Sequence, residues 1–260
     1  MTRYGMLIDT TTCVGCYECE NACAIKWGNP TSDVPKLSAS RNTAVATVND
    51  VNVPHLCMHC ADPTCASVCP VGAFSKTPEG PVVYNADKCI GCRYCMQACP
   101  FDIPKYEWSS TNPKVAKCNL CSERITRGQK PACVEVCPAE ARIFGTIDDL
   151  ILLAQKKIQD NPVQYINHIY GVKEAGGTSV LFLSGRSFEE IGLKAGLPDH
   201  PLPTLTWQVL SHIPNYVFWG STMLAGIWWI TNRRKEVAAY ERALRKLDRR
   251  SPNNGSQHSN

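Results

Sequence analysis

Cysteine is the residue type with the most evident chemistry in this chain, because sixteen thiols fall into four short groups. Thiolates are soft ligands that suit zinc and iron–sulfur clusters. Such a density of cysteines is typical of a disulfide scaffold, a set of zinc sites or cofactor ligation. The four groups, in chain order, are Cys13, Cys16, Cys19 and Cys23; Cys57, Cys60, Cys65 and Cys69; Cys89, Cys92, Cys95 and Cys99; and Cys118, Cys121, Cys133 and Cys137.

The spacing within the groups favours iron–sulfur clusters. The first and third groups follow the Cys-x2-Cys-x2-Cys-x3-Cys run of bacterial ferredoxins, and the second to fourth end in Cys-Pro, whereas Ala24 follows the first. Three cysteines on a tight loop can surround one cubane, while the cysteine before the proline reaches the other cluster of a pair. Zinc usually takes two separated Cys-x2-Cys pairs, and such crowding disfavours separate disulfides. We therefore predict four [4Fe–4S] clusters; a metal-stapled structural protein is the alternative.

Charge and composition exclude some functions. The formal net charge of +4 counts every cysteine as a neutral thiol. Four cubanes, each with four thiolates, would turn this net charge negative, so we expect no nucleic-acid binding. No nucleotide-binding glycine loop or nucleophile–base arrangement is present, and no catalytic residue is predicted. Five basic residues are interleaved with the cysteines and are expected to balance cluster charge: Lys76, Lys88, Arg93, Lys105 and Lys117.

The elements that position the cysteines predict an α+β fold. Residues 1–145 contain all the cysteines and have too few periodic apolar runs for an ordinary hydrophobic core. We therefore expect that they need bound metal or clusters to fold. Residues 146–200 are predicted to form an extension that packs on this domain. In it, Asp148 is expected to cap a helix over Leu150–Ile158, and Thr178–Ser184 is expected to be a short buried strand.

Residues 201–232 contain no Asp, Glu, Lys or Arg. The apolar part, about 205–230, is long enough to cross a bilayer as a helix, so we expect one C-terminal transmembrane helix; a buried globular helix is the alternative. His212 and Asn215 lie within it and are candidates for contact with a quinone or with the haem of a neighbouring subunit. Alternatively, they mark a kinked helix start around Pro214.

The charge distribution around this segment predicts a location. The basic tail, 233–260, is expected in the cytoplasm by the positive-inside rule, with the cysteine domain on the periplasmic side of the inner membrane. The N-terminus shows neither a hydrophobic signal region nor a twin-arginine pair. We therefore expect export together with a signal-bearing partner; a cytoplasmic cysteine domain is the competing interpretation.

The sequence resembles the four-cluster iron–sulfur subunits of membrane-bound respiratory oxidoreductases. The motifs that carry the resemblance are DTTTCVGCYECENAC, CMHCADPTCASVCPVGA, CIGCRYCMQACPFDIPKY and CVEVCPAEARIFG. The stretch YGVKEAGGTSVLFLS, at Tyr170–Ser184, is most similar to formate dehydrogenase β subunits and to the ferredoxin-like subunit of a periplasmic uptake hydrogenase. The resemblance implies two tandem ferredoxin-like units, each binding two clusters.

The resemblance also implies how the cysteines are shared. It pairs the first group with the fourth and the second with the third, and no ligand is replaced. His59, between Cys57 and Cys60, is a candidate donor to a cluster sulfur. The implied ligand sets are Cys13, Cys16, Cys19 and Cys137; Cys118, Cys121, Cys133 and Cys23; Cys57, Cys60, Cys65 and Cys99; and Cys89, Cys92, Cys95 and Cys69.

A protein with clusters and no reaction centre needs an electron donor and an acceptor. We predict a subunit that relays electrons between a catalytic subunit and a membrane quinone-reactive subunit such as a cytochrome b. The resemblance implies a catalytic partner that holds molybdenum or tungsten pterin, and formate dehydrogenase is the leading candidate. A partner that holds nickel and iron, as in a hydrogenase, is the alternative. A self-contained enzyme using a cluster as its catalytic centre is the rival from another class.

Overall fold

A computed structural model describes residues 2–30, 36–108 and 114–249 of the chain. The chain divides into two units, Met1–Leu205 and Thr206–Asn260. The strands are β1 (Tyr4–Asp9), β2 (Ala44–Val48), β3 (Val51–His55), β4 (Phe74–Lys76), β5 (Val82–Tyr84), β6 (Lys105–Tyr106), β7 (Val115–Ala116), β8 (Arg142–Thr146) and β9 (Val180–Leu183). The α-helices are α1 (Glu18–Trp27), α2 (Thr64–Ser67), α3 (Tyr94–Ala98), α4 (Ser122–Ile125), α5 (Ala132–Glu135), α6 (Ile147–Asp160), α7 (Leu202–Leu210) and α8 (Ile213–Asp248).

A three-stranded sheet in the order β8–β1–β9 forms the centre of the first unit. Strand β1 is antiparallel to β8, with Ile8 opposite Arg142, and parallel to β9, with Met6 opposite Val180. Met6 and Ile8 belong to one buried apolar cluster, and Leu7 belongs to another. Because successive side chains of a strand point to opposite faces, the apolar run of β1 supplies a core on each side of the sheet.

Helix α6 packs on this sheet through side chains at helical spacing. Its buried residues are Ile147, Leu150, Ala154 and Ile158. The predicted helix is therefore present, but its N-cap differs from the expectation. The cap is Thr146, whose side chain accepts a hydrogen bond from the backbone N–H of Asp149, because the helix begins one residue before Asp148. The expected strand over 178–184 is observed as β9.

Short hairpins and one-turn helices surround the cysteines. The hairpins are β2–β3, β4–β5 and β6–β7. The loop of the second cysteine group is attached to the segment before β9: the N–H of Ala61 donates to the carbonyl of Gly177, and the N–H of Ser179 donates to that of Met58. The segment 146–200 thus contributes backbone contacts that hold a cysteine loop in place.

The second unit consists of helical residues whose apolar side chains are largely exposed. Among the residues that the structure describes, no helix has the length and apolar character needed to cross a membrane. The transmembrane helix expected over 201–232 is therefore not supported. Helix α7 ends at Leu210, so that the apolar stretch is divided, and α8 combines its own apolar part with polar side chains such as Asn215 and with a charged second half. The orientation inferred from that span stays a prediction.

Candidate metal centres

None of the sixteen cysteines forms a disulfide, and most are at least partly buried. Within the described residues, no three His, Cys, Asp or Glu side chains are arranged to hold a single metal ion. Thiols from two different groups of the sequence instead lie close together, with a cavity between them in two of the sets, as the following paragraphs describe.

One cavity is bounded by Cys13, Cys16, Cys19 and Cys137. The loop that carries the first two of these thiols turns through Gly15, whose φ is +67°. A Cβ at this glycine would lie 2.8 Å from the side-chain atoms of Asn52. Only glycine therefore adopts this conformation without strain and without a steric clash.

A second cavity is lined by Cys23, Cys118, Cys121 and Cys133. Helix α1 supplies the first of these thiols and packs against α5, which supplies the last. Burial, together with the nearby Cys133 and Cys121, raises the pKa of the Cys23 thiol to about 12. A buried thiolate in this cavity therefore needs a positively charged partner.

The two remaining groups of thiols are identified by their mutual electrostatic effects. Burial raises the pKa of Cys60 well above its usual value, and Cys57, Cys99 and Cys65 contribute in the same direction. Burial also raises the pKa of Cys95 to about 11, with further contributions from its neighbours Cys89, Cys92 and Cys69. The structure thus brings together Cys57, Cys60, Cys65 and Cys99 in one place and Cys69, Cys89, Cys92 and Cys95 in another.

These four sets of donors fit [4Fe–4S] clusters. Each set offers four sulfur atoms, which is the ligand number of a cubane. Backbone N–H groups already point at some of the sulfurs: the N–H of Ala73 lies 3.2 Å from Cys69 Sγ, that of Leu120 3.3 Å from Cys118 Sγ, and that of Gly91 3.4 Å from Cys89 Sγ. Such donors stabilise the charged form of sulfur.

His59 is completely buried beside the second cysteine group. Its Nδ1 accepts a 2.8 Å hydrogen bond from the N–H of Val82. Its Nε2 has no hydrogen-bond partner among the described residues. Burial lowers the pKa of this imidazole well below its usual value, and the positive charges of Lys117 and Lys76 lower it further. The side chain is therefore neutral, and its proton is on Nε2.

Two of the basic residues singled out in the sequence hold cysteine loops through backbone carbonyls. Lys76 Nζ donates to the carbonyls of His59 (3.0 Å) and Cys60 (2.8 Å). Lys117, which is buried, donates to the carbonyls of Val82 and Cys118. Arg93 instead stacks over aromatic rings, 4.2 Å from the ring centre of Trp108.

Arg142, at the start of β8, was not identified from the sequence. It is 3% exposed, and its Nη2 donates to Cys19 Sγ over 3.2 Å. The signal available in the sequence was a charged residue that opens an apolar strand directly after the last Cys-Pro-x-x-Ala stretch. A charge in such a position needs a specific partner.

His212 and Asn215 lie in the second unit, at the junction of α7 and α8 and in the first turn of α8. Both side chains are exposed, and His212 Nδ1 lies 2.8 Å from the carbonyl oxygen of Gln208 in the preceding helix. This contact is local to the helix junction. A role in contacting a quinone or a haem stays a prediction from the sequence.

The fold and the four sets of sulfur donors define a ferredoxin-like iron–sulfur protein of the electron-transfer class. A family model described as a 4Fe-4S dicluster domain matches residues 48–147. Hydrogenase-2 operon protein HybA of Escherichia coli O157:H7 is 39% identical over 236 residues, covering 73% of this chain and 72% of that protein. Formate dehydrogenase-O iron-sulfur subunit of Escherichia coli K12 is 34% identical over 216 residues, covering 75% and 71%.

One of the chains of the anaerobic dimethyl sulfoxide reductase of Escherichia coli K12 is 40% identical over 159 residues, which are 57% of the present sequence and 76% of that protein. The protein belongs to this family of ferredoxin-like iron–sulfur subunits of respiratory oxidoreductases. It is an electron-transfer subunit, as the cysteine motifs predicted, and the cofactor type [4Fe–4S] is confirmed.

Proposed function

We propose that this chain holds four [4Fe–4S] clusters in series and relays electrons between a catalytic subunit and a quinone-reactive membrane subunit. The observation that carries the proposal is the convergence of thiols from two separate sequence groups at each site. A bound cubane supplies one-electron redox chemistry. The proposed ligand sets are Cys13, Cys16, Cys19 and Cys137; Cys23, Cys118, Cys121 and Cys133; Cys57, Cys60, Cys65 and Cys99; and Cys69, Cys89, Cys92 and Cys95.

The electrostatic neighbours of the thiols support a linear order of these sets. Cys133 contributes to the raised pKa of Cys19, which links the first set to the second. Cys57 contributes to that of Cys118, which links the second set to the third. Cys95 contributes to that of Cys65, which links the third set to the fourth. We therefore propose that the set of Cys16 and the set of Cys92 lie at opposite ends of the series.

The exposure of the cysteines supports the same assignment of the ends. Cys16 and Cys92 are the exposed cysteines of the chain. Exposed large apolar side chains lie near them in the sequence: Val14 near Cys16, and Ile90 and Tyr94 near Cys92. Exposed apolar residues around a redox centre suit contact with another subunit. We propose that partners bind at these two faces.

The relatives guide the choice of catalytic partner. Two of them are named as components of a formate dehydrogenase and of a dimethyl sulfoxide reductase, and one as a hydrogenase-2 operon protein. We propose a molybdenum or tungsten pterin formate dehydrogenase as the first candidate. A nickel–iron hydrogenase is the second candidate, and the 39% identity to the hydrogenase-2 operon protein supports keeping it. In both cases we propose that the quinone-reactive subunit holds the complex at the inner membrane.

The cluster content is tested first. The complex, purified anaerobically with its partners in mild detergent, is expected to contain at least about sixteen iron and about sixteen acid-labile sulfide atoms per copy of this chain, as four cubanes require. Dithionite is expected to bleach the visible absorbance and to produce EPR signals from reduced clusters. Zinc in place of iron, or protein without labile sulfide, would refute the proposal in favour of a metal-stapled scaffold.

The catalytic partner is tested on the same preparation. Formate is expected to reduce the clusters of the purified complex, and hydrogen gas is expected to leave them oxidised. The reverse pattern would identify the hydrogenase candidate. If neither donor reduces clusters that dithionite does reduce, both partner assignments are wrong, although the electron-transfer proposal stands.

A further inference from the structure

We propose that Arg142 is a counter-charge shared by two neighbouring cluster sites, so that it sets both reduction potentials together. The two sites are those of Cys13, Cys16, Cys19 and Cys137 and of Cys23, Cys118, Cys121 and Cys133. The inference rests on the proposed function. It concerns a positioning and tuning residue that supplies no ligand.

The backbone of Arg142 is held rigidly. The residue opens β8 and pairs with Ile8 in the central strand β1. The neighbouring β1 residues Met6, Leu7 and Ile8 are fully buried, and Arg142 itself is only 3% exposed, so its side chain lies inside the protein. The guanidinium is therefore confined between the sheet and the cysteine loops.

The side chain lies between the two sets. Arg142 lines the cavity bounded by Cys13, Cys16, Cys19 and Cys137. Its Nη2 is 3.2 Å from Cys19 Sγ and 3.5 Å from Thr43 Oγ1. Thr43 lines the other cavity. Arg142 Nη1 is buried and has no hydrogen-bond partner among the described residues. One edge of the guanidinium is thus paired with a thiol, while another edge retains a free donor.

The charged groups around Arg142 indicate that its guanidinium interacts mainly with thiolates. The thiols that lie close enough to act on the charge of Arg142 are Cys133, Cys19 and Cys13. Cys13 and Cys19 belong to the first set, and Cys133 belongs to the second. The buried carboxylate of Glu20, which follows Cys19 in the sequence, forms an ion pair with Arg41 over 2.9 Å. A guanidinium that stays protonated and offers several donors is suited to a position between two negatively charged groups.

A buried positive charge favours the addition of an electron to a nearby redox centre, and the effect is large because the interior screens charge poorly. A single charge between two centres acts on both. It also reduces the repulsion between two negatively charged sites that lie close together. The thiols found to act on Arg142 among the described residues, Cys13, Cys19 and Cys133, all belong to these two sites, so the clusters of the other two sites are expected to be much less sensitive to Arg142.

The test compares Arg142→Gln and Arg142→Lys by EPR-monitored redox titration of the holoprotein. In R142Q, the equilibrium constant for reducing each of the two clusters is expected to fall about tenfold, equivalent to about 59 mV for one electron. R142K keeps the charge, so its equilibrium constants for reducing the two clusters are expected to lie within about threefold of the wild-type values. The matched control is Arg124→Gln, since Arg124 is partly exposed and already paired with Glu135. The reduction potentials of the R124Q control are expected to match those of the wild type.

Several results would overturn the inference. They are unchanged potentials in R142Q, equal shifts in all four clusters, a shift in one cluster alone, or an R142K variant that behaves like R142Q. If R142Q loses iron from the two sites, the charge role requires that R142K keep full iron and labile sulfide. A lysine variant that loses them too overturns it. Wild-type protein without labile sulfide would refute the proposed function itself, which is a separate outcome.

Discussion

The backbone N–H of Val82 donates a 2.8 Å hydrogen bond to Nδ1 of His59 and thereby selects the tautomer of a buried imidazole. In a neutral imidazole with Nδ1 as acceptor, Nε2 carries the proton. That N–H has no partner among the described residues. His59 follows Cys57 by two residues and precedes Cys60 by one, so we propose that the N–H points to the cluster of this set.

Replacing His59 with leucine is therefore expected to lower the reduction potential of one cluster. A hydrogen bond to a cluster sulfur stabilises the more negative, reduced state, and its loss is expected to cost about 1 kcal/mol. The measurement is an EPR-monitored redox titration. His59→Gln, which keeps an N–H donor, is the control and is expected to shift the potential less. Equal shifts in the two variants would contradict a role for the donor.

Replacing Cys137 with serine tests the shared ligand sets. The site of Cys13, Cys16 and Cys19 is expected to lose an iron or its whole cluster, because its fourth sulfur is gone. The other three EPR signals are expected to persist, and iron content is expected to fall by about one to four atoms per chain. Cys99→Ser is the matched variant and is expected to affect the set of Cys57 instead. Damage by C137S at the site of Cys118 and Cys121 would show that the pairing is wrong.

Gly91 and Gly128 form a matched pair of glycines for testing the cysteine loops. Their φ angles are +71° and +72°. A Cβ at Gly91 would lie 2.5 Å from the hydroxyl oxygen of Tyr106, which donates to the Gly91 carbonyl, whereas nothing lies within 4 Å at Gly128. Tyr106 is buried and cannot move aside freely.

We therefore expect Gly91→Ala to be the more damaging of the two substitutions. Gly128→Ala is expected to cost about 1 kcal/mol for the left-handed backbone alone. Gly91→Ala adds a steric clash and is expected to cost about 2–4 kcal/mol and to reduce iron retention at the site of Cys89, Cys92 and Cys95. Anaerobic thermal denaturation and iron analysis measure both effects. Equal losses in the two variants would show that the clash is relieved cheaply.

The buried carboxylate of Asp9 is stabilised by a network at the end of β1. Lys157 Nζ and the hydroxyl of Tyr165 each lie 2.8 Å from Asp9 Oδ2, and Thr11 donates to Oδ1. Burial alone would raise the pKa of Asp9, but hydrogen bonds from Lys157, Thr11 and Tyr165 and the charge of Lys157 lower it below 3.8. A depressed carboxyl pKa contributes stability above the unfolded-state pKa, and this stability is lost as the pH falls through the folded-state pKa.

Asp9→Asn is therefore expected to be less stable than the wild type by a constant amount from pH 5 to pH 8, since both pKa values lie below that range. The difference is expected to shrink only below about pH 4. Lys157→Met is expected to cost about 2 kcal/mol, because it leaves a buried carboxylate without its cation. Lys156→Met, an exposed neighbour on the same helix, is the control. Anaerobic denaturation at several pH values measures these differences; a wild-type–D9N difference that falls between pH 8 and 5 would contradict the assignment.

Local patterns in the sequence predicted much of this protein. The spacing of thiols indicated cubane clusters, because three cysteines on one tight loop are suited to few other metal sites. The spacing of Leu150, Ile151, Leu152 and Ile158 indicated α6, and the apolar run before Ser184 indicated β9. These features follow from residue type and short-range geometry, which a sequence displays directly. The transmembrane helix that composition predicted over 201–232 is not supported by the helices that the structure describes.

The tertiary structure decided whatever depends on contacts between distant segments. Strand β1 lies between β8 and β9, so residues near the start of the chain meet residues more than 130 positions later. The tautomer of His59 depends on Val82, and the position of Arg142 between two sets of thiols depends on the register of β8 against β1. No periodicity reports such contacts, because they are selected by the packing of the whole core.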